Sequence, residues 1–321
     1  MNDIHAPLFR DPVYDGAADP TIIWNREEKS WWILYTNRRA TAPGPGFSWV
    51  HGTDIGIASS ADGGASWRYR GIVDGLPFER GLNTFWAPEV LFWHGKYHMF
   101  VSYVPGVPTD WSGSRTIIHY ESANLWDWSL VAPLTLSSSR VIDACVFPLP
   151  AGGFRMWYKD EQNDSHSYAA DSPDMRSWSV RGPVITDCPH EGPNVFAWKG
   201  TYWLIADMWA GQAVYKSEDL TAWHRIGLIL DVPGTRPDDG WYGHHADVLV
   251  NGDRAFVFYF THPGRGPRDG TGPETTERYE WKRSSLQVAE LGVRDGTLVC
   301  DRNTDGVLSL RAPGEDEELS R

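Results

Sequence analysis

The fold of this chain is most readily recognised from the stretch HEGPNVFAWKGTYWLI, residues 190–205. It opens with a small polar motif at Glu191-Gly192-Pro193, enters an apolar strand, turns at Lys199-Gly200 and returns as an aromatic strand. Two such runs joined by a short turn that contains glycine predict a β-hairpin. The hairpin carries one carboxylate, Glu191, at the entrance of its first strand, where partial burial can give a glutamate the pKa of a useful proton donor.

Related segments recur along the chain. Their first strands open near residues 19, 86, 143, 191 and 245. A spacing of roughly 50 to 65 residues fits four strands with their loops, which is one blade of a β-propeller. The sequence therefore predicts an all-β, five-bladed β-propeller that forms a single domain over residues 1–311. The acidic tail at residues 312–321 is expected to be disordered.

Four of the repeats end in a turn of the form Ser-x-Asp or Ser-x-Asn, followed by a tryptophan. The turns begin at Ser60, Ser122, Ser172 and Ser217. Side chains of this kind bond the backbone of their own turn, and the tryptophan can then cover the strand. We expect these turns to be structural rather than catalytic.

The composition favours a neutral or cationic ligand. A net charge of -13 argues against nucleic acid and anionic membranes, because both require a basic face. The sequence contains no apolar run of signal-peptide length at residues 1–12 and no membrane-spanning stretch of roughly 18 apolar residues, so we expect a soluble, cytoplasmic protein. The 18 tryptophans suit flat ligands such as sugar faces, and we expect about one in four at a ligand surface.

The innermost strands of a propeller meet at a central funnel, so the openers should bring their first residues together. Asp19, Asp143 and Glu191 would then surround one cavity. Two carboxylates across a cavity can hydrolyse a glycosidic bond, one by activating water and one by protonating the leaving oxygen, and a third can raise the acid's pKa. We expect the rim of the cavity to come from three long loops, at residues 37–54, 105–114 and 261–283.

Each carboxylate also has a structural alternative. Asp19 precedes Pro20, which is common turn chemistry, and Asp143 lies in an apolar run where a charge needs a partner. Glu191 could bond backbone amides at a blade edge. The matching positions of the three carboxylates within the repeats favour a shared functional site.

Residues near the openers are candidates for substrate binding. Trp86 could stack on a sugar ring or pack between blades, and Arg38 could bind substrate or remain solvated. His190 could orient Glu191 or donate the proton itself. His244 and His245 should point to opposite faces of a strand, and we favour His244 for the funnel. The predicted binding set is Trp86, His190, Arg38, Glu89 and His244.

These segments resemble glycoside hydrolase family 43 and related five-bladed propeller glycosidases. The matching motifs, which cover the chain from about residue 10 to 262, are Asp19-Pro20, Trp86-Ala87-Pro88, Ile142-Asp143, Glu191-Gly192-Pro193 and Gly243-His244. The resemblance implies that Asp19 is the general base, Glu191 the general acid, and Asp143 the residue that tunes and orients the acid. The implied reaction inverts the anomeric centre, and the carboxyls of Asp19 and Glu191 should lie about 6.5 to 9.5 Å apart.

The resemblance also implies a class of substrate. Members of the family remove arabinofuranose, xylose or galactose units, and the absence of an export signal favours exo action on short oligosaccharides. No cofactor is required, but some members bind calcium near the late histidine. An ion near His244 would be structural or electrostatic in role and held mainly through water, since no acidic ligand cluster is visible here.

The chain departs from the family pattern at two places, and other functions remain open. Ala144-Cys145 replace the usual proline, and His245 stands where a small residue is common. A related propeller family uses a histidine as the acid, which keeps His190 as a rival to Glu191. A sialidase would need six blades, although residues 60–67 fit its Asp-box pattern. A non-catalytic carbohydrate-binding propeller, of unknown oligomeric state, is the alternative from a different class.

Overall fold

The hairpin that starts at Glu191 is repeated five times in the structure, a computed structural model that describes residues 5–76, 78–266, 270, 272–304, 306 and 308–314. Each hairpin continues into two further strands, and the four strands form one antiparallel sheet in chain order. The predicted five-bladed, all-β propeller is therefore confirmed. Residues 315–321 of the predicted acidic tail lie outside the described residues.

The five blades follow one another along the chain. Blade 1 contains β1 (Ala17–Asn25), β2 (Ser30–Asn37), β3 (Ile55–Ser60) and β4 (Arg68–Ile72). Blade 2 contains β5 (Thr84–Trp93), β6 (Lys96–Val104), β7 (Thr116–Ser122) and β8 (Trp128–Pro133). Blade 3 contains β9 (Val141–Pro148), β10 (Phe154–Asp160), β11 (His166–Ser172) and β12 (Ser179–Ile185). Blade 4 contains β13 (Glu191–Trp198), β14 (Thr201–Asp207), β15 (Gln212–Ser217) and β16 (His224–Ile229). Blade 5 contains β17 (His244–Asn251), β18 (Arg254–Thr261), β19 (Ser285–Arg294) and β20 (Thr297–Cys300).

Two short helices, α1 (Pro273–Thr276) and α2 (Tyr279–Lys282), lie between β18 and β19. None of the described helices is long and apolar enough to cross a membrane. The ring is closed by β1, which contacts β17 of the last blade. Residues at both ends of the described chain strengthen this closure. Phe9 pairs with Leu286 on β19, and the amide of Leu310 donates to the carbonyl oxygen of Gly63 at 2.8 Å.

Apolar side chains fill the spaces between neighbouring blades. Five clusters of buried residues each combine side chains from two adjacent blades, and tryptophans such as Trp32 and Trp157 are fully enclosed in them. Strands buried on both faces explain why the sequence shows long apolar runs rather than strict alternation. This packing joins neighbouring blades and positions the first strands around the axis.

The Ser-x-Asp turns are structural, as predicted. In the first of them the Ser60 hydroxyl donates to Asp62 at 2.7 Å, and Asp62 accepts the amide of Ser66 at 2.9 Å. The indole of Trp67 closes the same turn by donating to the carbonyl of Gly64 at 3.0 Å. Trp128 and Trp178 make the same kind of contact in the next two blades.

Every first strand carries a β-bulge two residues long near its entrance. The bulges are Asp19-Pro20, Ala87-Pro88, Asp143-Ala144, Gly192-Pro193 and His245-Ala246. In the first four, the first bulge residue has a positive φ of 47°, 45°, 60° and 55°. A bulge redirects the side chains beside it, so these positions do not follow the two-residue alternation of a regular strand.

Beyond the bulges, polar side chains of blades 2 to 5 join each of these four blades to the next one around the ring. Each accepts a hydrogen bond from a backbone amide on the first strand of the following blade. The pairs are Glu89 with Val146 at 2.8 Å, Cys145 with Val195 at 3.1 Å, Asn194 with Val248 at 3.2 Å and Asp247 with Ile22 at 2.9 Å. The last pair crosses the closure between blade 5 and blade 1.

Candidate active site

The entrances of the five first strands surround a cavity of about 360 Å³. Asp19, Asp143 and Glu191 all line it, so the structure brings the three predicted carboxylates together. They do not occupy equivalent positions, however. Asp19 and Asp143 are each the first residue of a bulge, whereas Glu191 lies one residue before its bulge and Gly192 is the equivalent residue. The histidine His245 occupies the aspartate position in blade 5.

The cavity has aromatic walls. Five of its lining residues are tryptophans, at positions 49, 86, 111, 209 and 281. Trp111 and Trp209 are the most exposed of these, at 46% and 44%. Residues from the three predicted rim loops contribute to the wall, including Trp49, Trp111 and Trp281. Flat apolar faces around a polar floor are well suited to a sugar ring.

Asp19 is held by a cation from its own blade. Arg38 Nη2 donates to both carboxyl oxygens of Asp19, at 2.9 and 3.1 Å. His262 supports this arginine: its Nδ1 donates to the carbonyl of Arg283 at 2.9 Å, so its Nε2 is free of a proton and lies 3.4 Å from Arg38 Nη1. Burial lowers the pKa of His262 well below its ordinary value, which keeps the ring neutral and able to accept. Asp19 is thereby fixed in one orientation.

Asp143 is almost fully buried beside the other two carboxylates, and its Oδ2 accepts the amide of Gly192 at 3.1 Å. Burial raises the pKa of Asp143 to about 6, and the negative charges of Glu191 and Asp19 act in the same direction. His245 and Lys159 oppose this rise. The Asp143 carboxyl therefore gains a proton more readily than an ordinary aspartate.

Glu191 forms an ion pair with Lys159, whose Nζ donates to Oε2 at 3.0 Å. Burial alone would raise the pKa of Glu191, but the charges of Lys159, His245 and Arg38 together outweigh it and lower the pKa below the ordinary value. Glu191 is therefore ionised at neutral pH, and Asp143 is the carboxyl with the higher proton affinity. A proton donor at Glu191 would require the opposite order of the two pKa values, with that of Glu191 above that of Asp143.

His245 is the histidine that faces the carboxylates. Its Nδ1 lies 3.8 Å from Asp19 Oδ1. Burial alone would lower the pKa of His245, but Asp143, Asp19 and Glu191 outweigh it and raise the pKa. The expectation that His244 and His245 point to opposite faces was wrong, because both line the cavity and the bulge at His245 removes the alternation.

Two residues of the predicted binding set lie outside the cavity wall. Glu89 is buried between blades and accepts the amide of Val146. His190 is fully buried, donates through Nδ1 to the carbonyl of Cys188 at 2.8 Å, and accepts from the Ser167 hydroxyl through Nε2 at 2.6 Å. Both ring nitrogens of His190 are thus engaged away from the cavity, which removes the geometric basis for His190 as proton donor.

The other three members of that set line the cavity. Arg38 is engaged with Asp19 through its bidentate contact. Trp86 is 7% exposed, and its indole donates to the carbonyl of Val50 at 2.6 Å. His244 bonds Asp207 Oδ2 through Nδ1 at 3.2 Å, while its buried Nε2 has no hydrogen-bond partner in the described part of the protein.

The unpartnered nitrogen of His244 is compatible with a contact to a bound ion or to water around it. Calcium takes mainly oxygen ligands, so a single imidazole would require water molecules to complete the shell. The described residues bring three potential metal ligands together at a different place, on blade 2: His98, His119 and Glu121. Glu121 already pairs with Lys96 and Arg176 there, and none of the three ligands lines the cavity.

Several residues of the site carry no motif in the sequence. Lys159 and Glu161 line the cavity at and just beyond the end of β10, and His262, Arg265 and Trp281 line it from the last rim loop. Aligning the second strands of the repeats would have drawn attention to Lys159 as the only cation at its position, where the other blades have Thr36, Ser102, Asp207 and Phe260. The loop residues carry no repeat signal, and only the folded chain brings them to the cavity.

Comparisons with known proteins identify the fold. No family model matches the chain, and no curated protein matches it. A thermostable family-43 glycoside hydrolase of known structure is 20% identical, covers 95% of this chain and 98% of its own, and gives a TM-score of 0.64. A β-xylosidase/α-arabinofuranosidase of that family, from a compost microbial metagenome, was solved in complex with xylotriose in a calcium-free form. It is 17% identical, covers 92% of this chain and 96% of its own, and gives a TM-score of 0.65. A family-43 β-1,3-galactosidase with galactodeoxynojirimycin is 14% identical, covers 92% of this chain and 97% of its own, and gives a TM-score of 0.64. The protein therefore has the five-bladed propeller fold of the family 43 glycoside hydrolases, as its sequence motifs predicted.

Proposed function

We propose that this protein is a glycoside hydrolase that inverts the anomeric centre of its substrate. The observation that carries the proposal is the convergence of Asp19, Asp143 and Glu191 in one cavity with aromatic walls. Three carboxylates on separate blades are expensive to bring together in a buried place, because each loses hydration and repels the others. Their accumulation at the funnel is therefore better explained by chemistry on a ligand than by support of the fold.

In this mechanism Asp19 is the general base and Glu191 the general acid. Asp19 takes a proton from a water molecule, the water oxygen bonds to the anomeric carbon, and the bond from that carbon to the leaving oxygen breaks. Glu191 gives its proton to the leaving oxygen. Arg38 keeps the Asp19 carboxylate oriented, and Asp143, which interacts electrostatically with both carboxylates, is the group that tunes the acid.

The shape of the site favours exo action on a short oligosaccharide. Trp111 and Trp209 stand exposed at the wall, while Trp49 and Trp281 are contributed by two different rim loops. Walls on several sides suit the end of a chain better than its middle. The structural neighbours act on xylose-, arabinofuranose- and galactose-containing substrates by name, and we propose the same group of sugars here.

A calcium ion held mainly through water near His244 is part of the proposal but not of the chemical step. The unpartnered Nε2 of His244 supports it, and one neighbour is described as a calcium-free form, which indicates a calcium site in that protein. A bound ion would add positive charge at the cavity floor and would help to hold the carboxylates ionised.

The second candidate is a carbohydrate-binding propeller without catalysis. One observation favours it: the ion pair with Lys159 favours the ionised form of Glu191, and an ionised carboxyl accepts hydrogen bonds from sugar hydroxyls but cannot donate a proton. The sialidase alternative required six blades, and the described chain forms five.

A screen of aryl furanosides and pyranosides tests the proposal. We expect the protein to hydrolyse at least one of them, and Asp19→Asn and Glu191→Gln each to lower kcat/KM by at least about a hundredfold, because each removes a proton-transfer group. NMR of the first-formed sugar should show the inverted anomer. Binding without turnover would instead identify the non-catalytic candidate.

A matched control is Glu290→Gln. Glu290 pairs with Arg254 near the surface and does not line the cavity, so this change should leave turnover as it is. Circular dichroism and thermal unfolding should show that all three variants retain the fold. Near-normal turnover in both cavity variants would overturn the catalytic assignment.

A further inference from the structure

The second strands of the blades share one position that helps to join neighbouring blades. It lies opposite the residue just before the bulge, and in three blades its side chain accepts the first bulge amide of the next blade. Thr36 accepts from Ala87 at 2.8 Å, Ser102 from Asp143 at 3.0 Å and Asp207 from His245 at 2.8 Å. Blade 5 has Phe260 at this position, so an acceptor is present in three of the five blades.

Blade 3 has Lys159 at this position, the one cation among the five equivalent residues. A lysine ammonium has only donor hydrogens, so it cannot accept the amide of the following bulge. That amide, from Gly192, is instead bonded by the carboxylate of Asp143. The lysine side chain is 5% exposed, and a buried ammonium is costly unless it is well paired. In blade 3, Asp143 therefore accepts the bulge amide of the next blade, and the burial of Lys159 at this position requires another explanation.

Lys159 lies between two carboxylates. Its Nζ is 3.0 Å from Glu191 Oε2 and 3.4 Å from Glu161 Oε1. The face of Trp209 covers it, with the ring centroid 5.2 Å from Nζ. The ammonium is therefore within ion-pair distance of both carboxylates in one position.

Glu161 is held independently of Lys159. Its other oxygen, Oε2, is bound by the fully buried Arg115 and lies 3.3 Å from Arg140. Because two arginines fix this carboxylate, it stays in place whether or not the lysine is bonded to it. Glu161 is thus a permanent second partner at the cavity wall.

We propose that Lys159 is a positioning residue that alternates between two carboxylates: it holds Glu191 ionised in the resting protein and moves toward Glu161 when Glu191 is protonated. The inference rests on the proposed function, in which Glu191 is the general acid. The proton enters from solvent and binds Glu191, while the ammonium of Lys159 keeps its charge and strengthens its bond to Glu161. When Glu191 gives the proton to the leaving oxygen, the original ion pair forms again.

The charged groups around this pair act in both directions. Those that face Glu191 are Lys159 from β10, Asp143 from β9, His245 from β17 and Arg38 from the loop after β2. Those that face Lys159 are Glu191, Asp143 and Glu161. His190 also interacts electrostatically with Lys159. Removal of the lysine leaves Glu191 beside Asp143 without its nearest cation. Removal of the Glu161 charge leaves the lysine with Glu191 as its near partner.

The test is the pH dependence of kcat/KM in two variants, Lys159→Met and Glu161→Gln. The basic limb of the profile reports deprotonation of the general acid. In Lys159→Met this limb should move to higher pH by at least about one unit, because the cation that favours the ionised form is gone. In Glu161→Gln it should move to lower pH, because Lys159 then stays with Glu191. A purely structural role would lower activity without moving the limb in opposite directions.

Controls separate this inference from the proposed function. Lys216→Met changes an exposed lysine of β15 and should leave the profile unchanged. Thermal unfolding should show that each variant is folded, and ¹³C NMR of the Glu191 carboxyl, assigned with Glu191→Gln, gives its titration without turnover. If the wild type hydrolyses a glycoside but the basic limb stays in place in both variants, or moves in the same direction in both, the proposed role of Lys159 is overturned and the proposed function is not. A wild-type protein that hydrolyses none of the glycosides overturns the proposed function, and an unchanged Glu191 titration in Lys159→Met would then also overturn the pairing.

Discussion

At the level of single residues, the site is built from groups whose environments push their proton affinities apart. Asp143 has its pKa raised to about 6 by burial and by neighbouring carboxylates, whereas Lys159 lowers the pKa of Glu191. Two carboxyl groups that have similar pKa values in water thus have different pKa values within one cavity. Catalytic sites divide acid and base roles in this way. Lys159 makes the largest contribution to the lowered pKa of Glu191, and His245 and Arg38 act in the same direction.

Asp143 should lower the stability of the protein at neutral pH. Its folded pKa of about 6 lies above the ordinary value of 3.8, so the folded state binds more protons than the unfolded state between these values. Stability therefore falls as pH rises through this window. Asp143→Asn should be more stable than the wild type at pH about 7.5, by up to about 3 kcal/mol, and nearly equal to it at pH about 4.

Urea unfolding at both pH values checks this prediction. The asparagine carbonyl can still accept the amide of Gly192, and asparagine tolerates the positive φ of this position, so the substitution changes mainly the charge. A variant that is less stable than the wild type at both pH values would show that the carboxylate supports the fold instead.

Among the strands, the bulges decide which side chains reach the cavity. A regular strand would send successive residues to opposite faces, yet His244 and His245 both line the wall. The bulges also explain why glycine follows Glu191. A Cβ at Gly192 would lie 2.8 Å from the His245 ring, and the residue has a φ of 55°.

Gly192→Ala should therefore reduce both stability and turnover. The left-handed backbone costs a non-glycine residue about 1 to 2 kcal/mol, and the methyl group must also displace His245 from its place beside Asp19. Gly200→Ala is a matched control, because Gly200 has a φ of 74° but no atom of the described residues lies within 4 Å of the place that a Cβ would take. Urea unfolding and kcat/KM of both variants provide the measurement. Equal loss of stability and unchanged turnover in the two variants would contradict the role of the close contact.

Across the whole propeller, the ring of inter-blade hydrogen bonds holds the first strands around the axis. Asp247 closes the ring, since its carboxylate accepts the amide of Ile22 on blade 1 at 2.9 Å and the side-chain amide of Asn194 on blade 4 at 2.8 Å. The position of Asp19 relative to Glu191 depends on this closure, because the two lie on β1 and next to the bulge of β13.

Asp247→Ala should destabilise the propeller by about 2 to 4 kcal/mol, because it leaves a buried backbone amide and a buried Asn194 amide without their acceptor. Asp253→Ala, which changes an exposed aspartate in the turn between β17 and β18, should have little effect. The midpoints of urea unfolding compare the two. An equally small effect of both substitutions would show that the closure does not depend on this carboxylate.

Local sequence patterns were sufficient to predict the class of fold, the number of blades and the three carboxylates. Hairpin patterns and turn motifs are local signals, and a propeller repeats them at a regular spacing. Such a spacing does not arise from unrelated segments by chance. The motifs near Asp19, Asp143 and Glu191 also indicated a common site, because each lies at the same end of a repeat. These features follow from short segments of chain.

The surroundings of those carboxylates, in contrast, were set by the tertiary structure alone. The bulge that turns His245 toward Asp19, the inter-blade bond that occupies Glu89, and the buried bonds of His190 all depend on neighbouring blades or loops. The partnership of Lys159 with Glu191 and Glu161 joins β10 to the entrance of β13. Burial and charge act through space, so the proton affinities in the cavity depend on contacts between blades that no local pattern of sequence contains.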